Sequence, residues 1–83
     1  MTKRTVLITG ASSGIGYATA LAFARRGDNV AGSAREMDGL DQLVAVAENL
    51  PGEIMPVLFD VQNRTETERA IREVVAHFGG LDI

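Results

Sequence analysis

The sequence has no cysteine, so neither a disulfide nor a thiolate-bound metal holds this chain together. A single histidine, His77, argues against a zinc site as well. No run approaches the ~18 consecutive apolar residues of a membrane span. The formal charge of −3 leaves no basic footprint for nucleic acid. Internal repeats and low-complexity segments are missing. Met1-Thr2-Lys3-Arg4 leads directly into a first apolar run, so no signal peptide is expected and a cytoplasmic location follows. What remains is ordinary globular composition, 46% hydrophobic and 23% charged. Its 83 residues make one domain at most, small for a self-sufficient α/β core.

The informative stretch is Thr9-Gly10-Ala11-Ser12-Ser13-Gly14-Ile15-Gly16. Before it, Thr5-Val6-Leu7-Ile8 has the continuous apolar, β-branched character of a strand buried on both faces. After it, residues 15–26 read as a helix. Glycines let the turn fold tightly and approach a ligand closely. The helix start adds unpaired N–H groups and the positive end of its dipole, so the three parts together form a phosphate seat. A plain strand-to-helix loop is the alternative. The P-loop reading fails, because no Gly-Lys-Ser/Thr follows. Ser12 and Ser13 are candidate phosphate-binding hydroxyls, and Ile15 contributes its backbone N–H. Serine nucleophile chemistry lacks a partner, since His77 falls at the far end of the third helix, where a dipole interaction suits it better.

The remainder alternates strands and helices. A first strand is expected at 4–9. In the first helix Ile15, Ala18, Leu21, Ala22 and Arg25 follow helical spacing, with Arg25 and Arg26 near the end and Gly27 as a left-handed cap. A second strand covers 30–34. Leu40, Leu43, Val44, Ala47 and Leu50 stripe a second helix that Pro51-Gly52 stops. The third strand, 54–59, carries Pro56, which suits only a sheet edge. Thr65 and Glu68 form a capping box for a third helix, with Ala70, Ile71, Val74, Val75 and Phe78 inward and Arg69, Arg72 and Glu73 solvated. Gly79-Gly80 ends that helix, and Leu81-Asp82-Ile83 opens a fourth strand. The pattern is α/β: the N-terminal half of a doubly wound parallel sheet, in which order 3-2-1-4 places the third strand at the edge.

In such sheets an acidic residue about 20 positions past the glycine turn bonds a ribose 2′-hydroxyl. Here the second strand ends at Ala34-Arg35. A guanidinium at that place complements a 2′-phosphate, which points to NADP(H) rather than NAD(H). Ser33 adds a hydroxyl. Two alternatives are an exposed strand-end arginine and a ribose contact from Glu36.

TGASSGIG resembles the cofactor loop of the short-chain dehydrogenase/reductase family, in the T-G-x-x-x-G-x-G spacing of its shorter, single-domain branch. The resemblance runs through Arg35, Asp60-Val61 and Leu81-Asp82-Ile83. It implies a three-layer Rossmann-type fold, with residues 1–83 as a partial NADP(H)-binding domain. It also implies that the Asp60 carboxylate and the Val61 N–H read the adenine; a simple turn leading to Asn63 is the other reading of Asp60. Many NADP-preferring relatives carry a basic residue where this chain has Ser13. The cofactor-binding set is therefore Gly10, Ser12, Ser13, Gly14, Ile15, Gly16, Ser33, Arg35, Asp60 and Val61.

The parent protein implied by this resemblance is an NADP(H)-dependent oxidoreductase moving hydride between nicotinamide and a carbonyl or alcohol, and a homo-oligomer. The family's Asn-Asn-Ala-Gly segment, catalytic serine and Tyr-x-x-x-Lys pair follow the Leu-Asp-Ile position and are not in this sequence. Tyr17 lies within the first helix and Lys3 before the first strand, so neither is that pair. No catalytic residue is assigned here, and the 83 residues alone are expected to show no turnover. A non-catalytic nucleotide-binding module is the alternative, and an adenosylmethionine binder a weaker one that Arg35 does not favour.

Overall fold

The computed structural model describes residues 3–83, and Met1 and Thr2, part of the expected run into the first strand, lie outside the described residues. The element order is β1 (Thr5–Ile8), α1 (Gly14–Arg25), β2 (Asn29–Ala34), α2 (Asp38–Val46) with a closing 3-10 turn at Ala47–Asn49, β3 (Ile54–Leu58) and α3 (Arg64–Phe78). The strands are parallel in the order β1-β2-β3, with Val6 opposite Val30 and Val30 opposite Ile54. Pro56 is exposed on β3, at the sheet edge where a missing N–H disrupts nothing.

Side chains alternate across the sheet, which builds two cores and three layers. Val30 and Ile54 pack under α1 and α2 with Ala20, Leu21, Ala24, Leu40, Leu43 and Ala47. Their strand neighbours Ala31 and Val57 face the other way, with Phe59, against Ala70 and Val74 of α3. Leu40 and Leu43 are fully buried, as the stripe of α2 predicts. Gly27 and Gly79 adopt the left-handed conformation expected past the ends of α1 and α3.

Several local expectations shift. Strands β1 and β3 each stop one residue short of the expected end, and α1 begins at Gly14. The buried face of α1 is Ala20, Leu21 and Ala24, whereas Ile15 is 87% exposed and Ala18 and Ala22 are also outside. An alanine-rich helix that is apolar nearly all round carries no unique stripe, so the sheet selects the face. The cap of α3 is Asn63, whose Oδ1 accepts from the Glu66 N–H at 3.1 Å. Thr65 lies one residue inside the helix, and Glu68 pairs instead with Arg64 at 3.2 Å. On α3, Ile71 and Val75 remain 37% and 41% exposed.

Leu81-Asp82-Ile83 lies along the free side of β1. The Ile83 N–H donates to the Thr5 carbonyl at 3.2 Å and the Leu7 N–H to the Ile83 carbonyl at 2.8 Å, one rung of a parallel ladder. Asp82 Oδ2 accepts from the Thr5 N–H at 2.8 Å. Residue 83 thus sits where a fourth strand would put it, leaving β1 between two neighbours.

Candidate functional site

The ends of all three strands meet at one side of the sheet, and the glycine turn rises from the first. Gly10 and Gly14 hold φ of 64° and 60°, which other residues rarely adopt. Ala11 is fully buried, and its N–H donates to the Ser33 carbonyl at 2.9 Å, stapling the turn to the end of β2. A Cβ on Gly16 would collide with the Gly10 carbonyl, so only glycine lets α1 start this close to the turn.

Ser13 is the N-cap residue of α1 and is extended, with φ −162° and ψ 169°, and its side chain caps nothing. No acidic residue occupies the first turn of α1. The leading N–H groups of a 12-residue helix are thereby left to an external acceptor, at the end where the dipole favours an anion.

Beside this turn a groove of about 650 Å³ is walled by Thr9, Gly10 and Ser12 from the turn, Ser33 to Glu36 from the end of β2, and Phe59 to Gln62 from the end of β3. Asp38 and Gly39, from the start of α2, close it. Gly39 packs so tightly on Ser12 that a Cβ would strike the Ser12 carbonyl and Cβ.

Ser33 is 1% exposed, and its hydroxyl has no hydrogen-bond partner among the described residues. A buried hydroxyl without a partner is costly, so this one is poised for an acceptor or donor entering the groove. Among the described residues Arg35 is the only cationic one lining the groove, and it is exposed. Glu36, Asp38 and Asp60 supply carboxylates.

Asp60 follows β3 in an Asx turn. Its Oδ1 accepts from the Gln62 N–H, and its carbonyl from the Asn63 N–H, both at 2.9 Å. Val61 follows it and is largely exposed.

The groove therefore gathers Gly10, Ser12, Ser33, Arg35, Asp60 and Val61, six of the residues the sequence singles out. Ser13, Gly14, Ile15 and Gly16 do not line it; they continue the turn into the first turn of α1. Asp38, Gly39, Phe59 and Gln62 also wall the groove, although the sequence pattern does not single them out. The Asp-Gly pair before the α2 stripe was the available signal, because a glycine at a helix start suggests a close approach. Among the described residues no group of three or more His, Cys, Asp or Glu side chains is placed to hold a metal ion, and no helix is long and apolar enough to cross a membrane.

Residues 4–83 match the family model described as short chain dehydrogenase. The chain is 42% identical over 77 residues to the 3-oxoacyl-(acyl-carrier-protein) reductase of Thermotoga maritima, covering 93% of this chain and 31% of that protein. Among solved structures it resembles the alcohol dehydrogenase of Thermococcus sibiricus complexed with 5-hydroxy-NADP, with a TM-score of 0.90, 33% identity, and coverage of 98% of this chain and 35% of that one. It also resembles the L-sorbose reductase of Gluconobacter frateurii complexed with NADPH and L-sorbose, at a TM-score of 0.87, 32% identity, and coverage of 98% and 31%. The chain thus spans about a third of the length of these relatives.

Proposed function

The chain belongs to the short-chain dehydrogenase family, and from that premise we propose that it is the NADP(H)-binding N-terminal portion of an oxidoreductase. The reaction is hydride transfer between nicotinamide and a carbonyl or alcohol substrate in the parent protein, a cytoplasmic homo-oligomer. One observation carries the choice of cofactor: among the described residues, the buried Ser33 hydroxyl has no partner and stands in a groove whose only cationic lining residue is Arg35.

The residues present fit such a dinucleotide. The free N–H groups that open α1 at Gly14, Ile15 and Gly16 receive the diphosphate, with Gly10 leaving room and Ser12 and Ser13 adding hydroxyl donors. Arg35 and Ser33 together meet a 2′-phosphate, through charge-assisted N–H donors and one neutral O–H. Asp60 accepts from the exocyclic amine of the adenine, and the Val61 N–H faces a ring nitrogen. When bound, the nicotinamide supplies the hydride chemistry. This chain supplies affinity and orientation, and none of its residues is assigned to proton transfer.

The test is a comparison of dissociation constants for NADPH and NADH in the parent protein and its Arg35→Ala variant. A preference for NADPH that falls by about tenfold or more in the variant supports the reading, since one charge-assisted phosphate contact is worth roughly that much. Equal or tighter NADH binding by the parent protein would overturn it. That outcome would favour a second reading, NAD(H) held through Glu36, because Glu36 and Asp38 bring carboxylates to the same groove.

A further inference from the structure

The adenine end of the groove is held from behind by a helix that contributes nothing to its lining. Asp60 and Val61 sit on a short connection that has left the sheet: the last ladder-type bond of this strand is the Phe59 N–H to the Ala34 carbonyl, at 3.2 Å. Beyond it the connection is clasped by the start of α3. Glu66 Oε1 accepts from the Asp60 N–H at 3.3 Å, while the Glu66 N–H is capped by Asn63 Oδ1 at 3.1 Å. One turn further, an Arg69 guanidinium nitrogen donates to the Leu58 carbonyl at 3.0 Å, steadied by Glu73 at 3.6 Å.

The Asp60 backbone is thus gripped by Glu66 on its N–H side and by Asn63 on its carbonyl side. Its Oδ1 is committed to the Gln62 N–H, whereas no described group hydrogen-bonds Oδ2. Glu66 is well placed for this role, because its charge favours both the helix N-terminus and the N–H it accepts from.

We propose that Glu66 is a positioning residue for base recognition: it sets where Asp60 and Val61 stand in the groove, and so controls discrimination for a purine with an exocyclic amine. This rests on the reading of the groove as an NADP(H) site. Glu66 does not line the groove, and it acts only through the Asp60 backbone.

The experiment compares binding of NADPH with that of its hypoxanthine analogue, in which a carbonyl replaces the amine. The proteins are the full-length parent and its Glu66→Ala, Glu66→Asp, Glu66→Gln and Asp60→Ala variants. The parent should prefer the adenine form, and Asp60→Ala should abolish the preference. Glu66→Ala should weaken NADPH binding by about fivefold, one hydrogen bond's worth, and leave the hypoxanthine form within about twofold. Glu66→Asp, one methylene shorter, keeps the charge at the helix start but loses the reach, so it should behave like the alanine variant. Should Glu66→Ala not fold, Glu66→Asp decides. Glu66→Gln keeps the acceptor and should restore discrimination. Equal loss for both nucleotides in Glu66→Ala and Glu66→Asp, or no loss for either, would overturn the role of Glu66 alone. Failure of the parent to bind either nucleotide would instead overturn the reading of the groove.

Discussion

Ser33 combines near-complete burial with an unpartnered hydroxyl, and a side chain in that state is a cost the fold carries for some other purpose. If the purpose is a ligand oxygen, Ser33→Ala should leave the apo protein as stable as before or slightly more so. NADPH affinity should fall by about fivefold, as measured by thermal melts with and without nucleotide. Gly16 makes the opposite trade. Its missing Cβ is what lets the helix start sit on the Gly10 carbonyl, so Gly16→Ala must push α1 away from the turn. The expected result is destabilisation on the order of 1–3 kcal/mol by urea unfolding, with loss of nucleotide binding in the molecules still folded. The need for glycine at 10, 14 and 16 is legible from spacing alone. The unpartnered state of Ser33 is not, because it depends on what Ala11 and the wall of the groove leave around it.

At the level of elements, α2 and α3 show what periodicity can and cannot settle. The stripe of α2 holds in its first half, where Leu40 and Leu43 are fully buried, whereas Val44 and Leu50 are partly buried and the helix gives way to a 3-10 turn after Val46. Leu43→Ala should cost about 2–5 kcal/mol in a denaturant titration, since the cavity opens in the core shared by α1, α2 and the sheet. The start of α3 is capped by Asn63, two residues before the Thr65 of the Thr65-x-x-Glu68 box that the sequence pattern suggests. The Asp60 turn chooses this cap by delivering Asn63, with its N–H bonded to the Asp60 carbonyl, at the entry to the helix. Asn63→Ala should therefore cost about 1 kcal/mol, and Thr65→Ala only a few tenths. In α1 the ambiguity is greater. Alanine and glycine occupy so many positions that the sheet, and not the pattern, decides that Leu21 is inside and Ile15 outside.

On the scale of the whole molecule, three parallel strands bring residues far apart in sequence to one rim. Register does this: Ile8, Gly32 and Pro56 stand side by side, so the chain segments that leave the strand ends converge. The other flank of β1 is closed by only a few residues. Removing 81–83 should speed exchange of the Thr5 and Leu7 amides by about tenfold or more while Ala31 keeps its protection, as read by hydrogen-exchange mass spectrometry or NMR. The 83-residue polypeptide should reduce no ketone with NADPH, because its single tyrosine lies in α1 and its single lysine precedes β1. Oxidation of NADPH coupled to carbonyl reduction by the isolated polypeptide would refute that expectation.

The order of strands and helices, the glycine turn and the edge character of the proline-bearing strand were encoded locally, in spacing and residue type. Local rules suffice there because backbone geometry and hydrophobic period act over a few residues. Tertiary structure alone decided that Asp38 and Gly39 close the groove beside Ser33, Arg35 and Asp60, that Ile15 faces outward, and that Glu66 grips Asp60. Those relations span different elements, and they exist only once parallel pairing has aligned the strand ends and packing has chosen which face of each helix to bury.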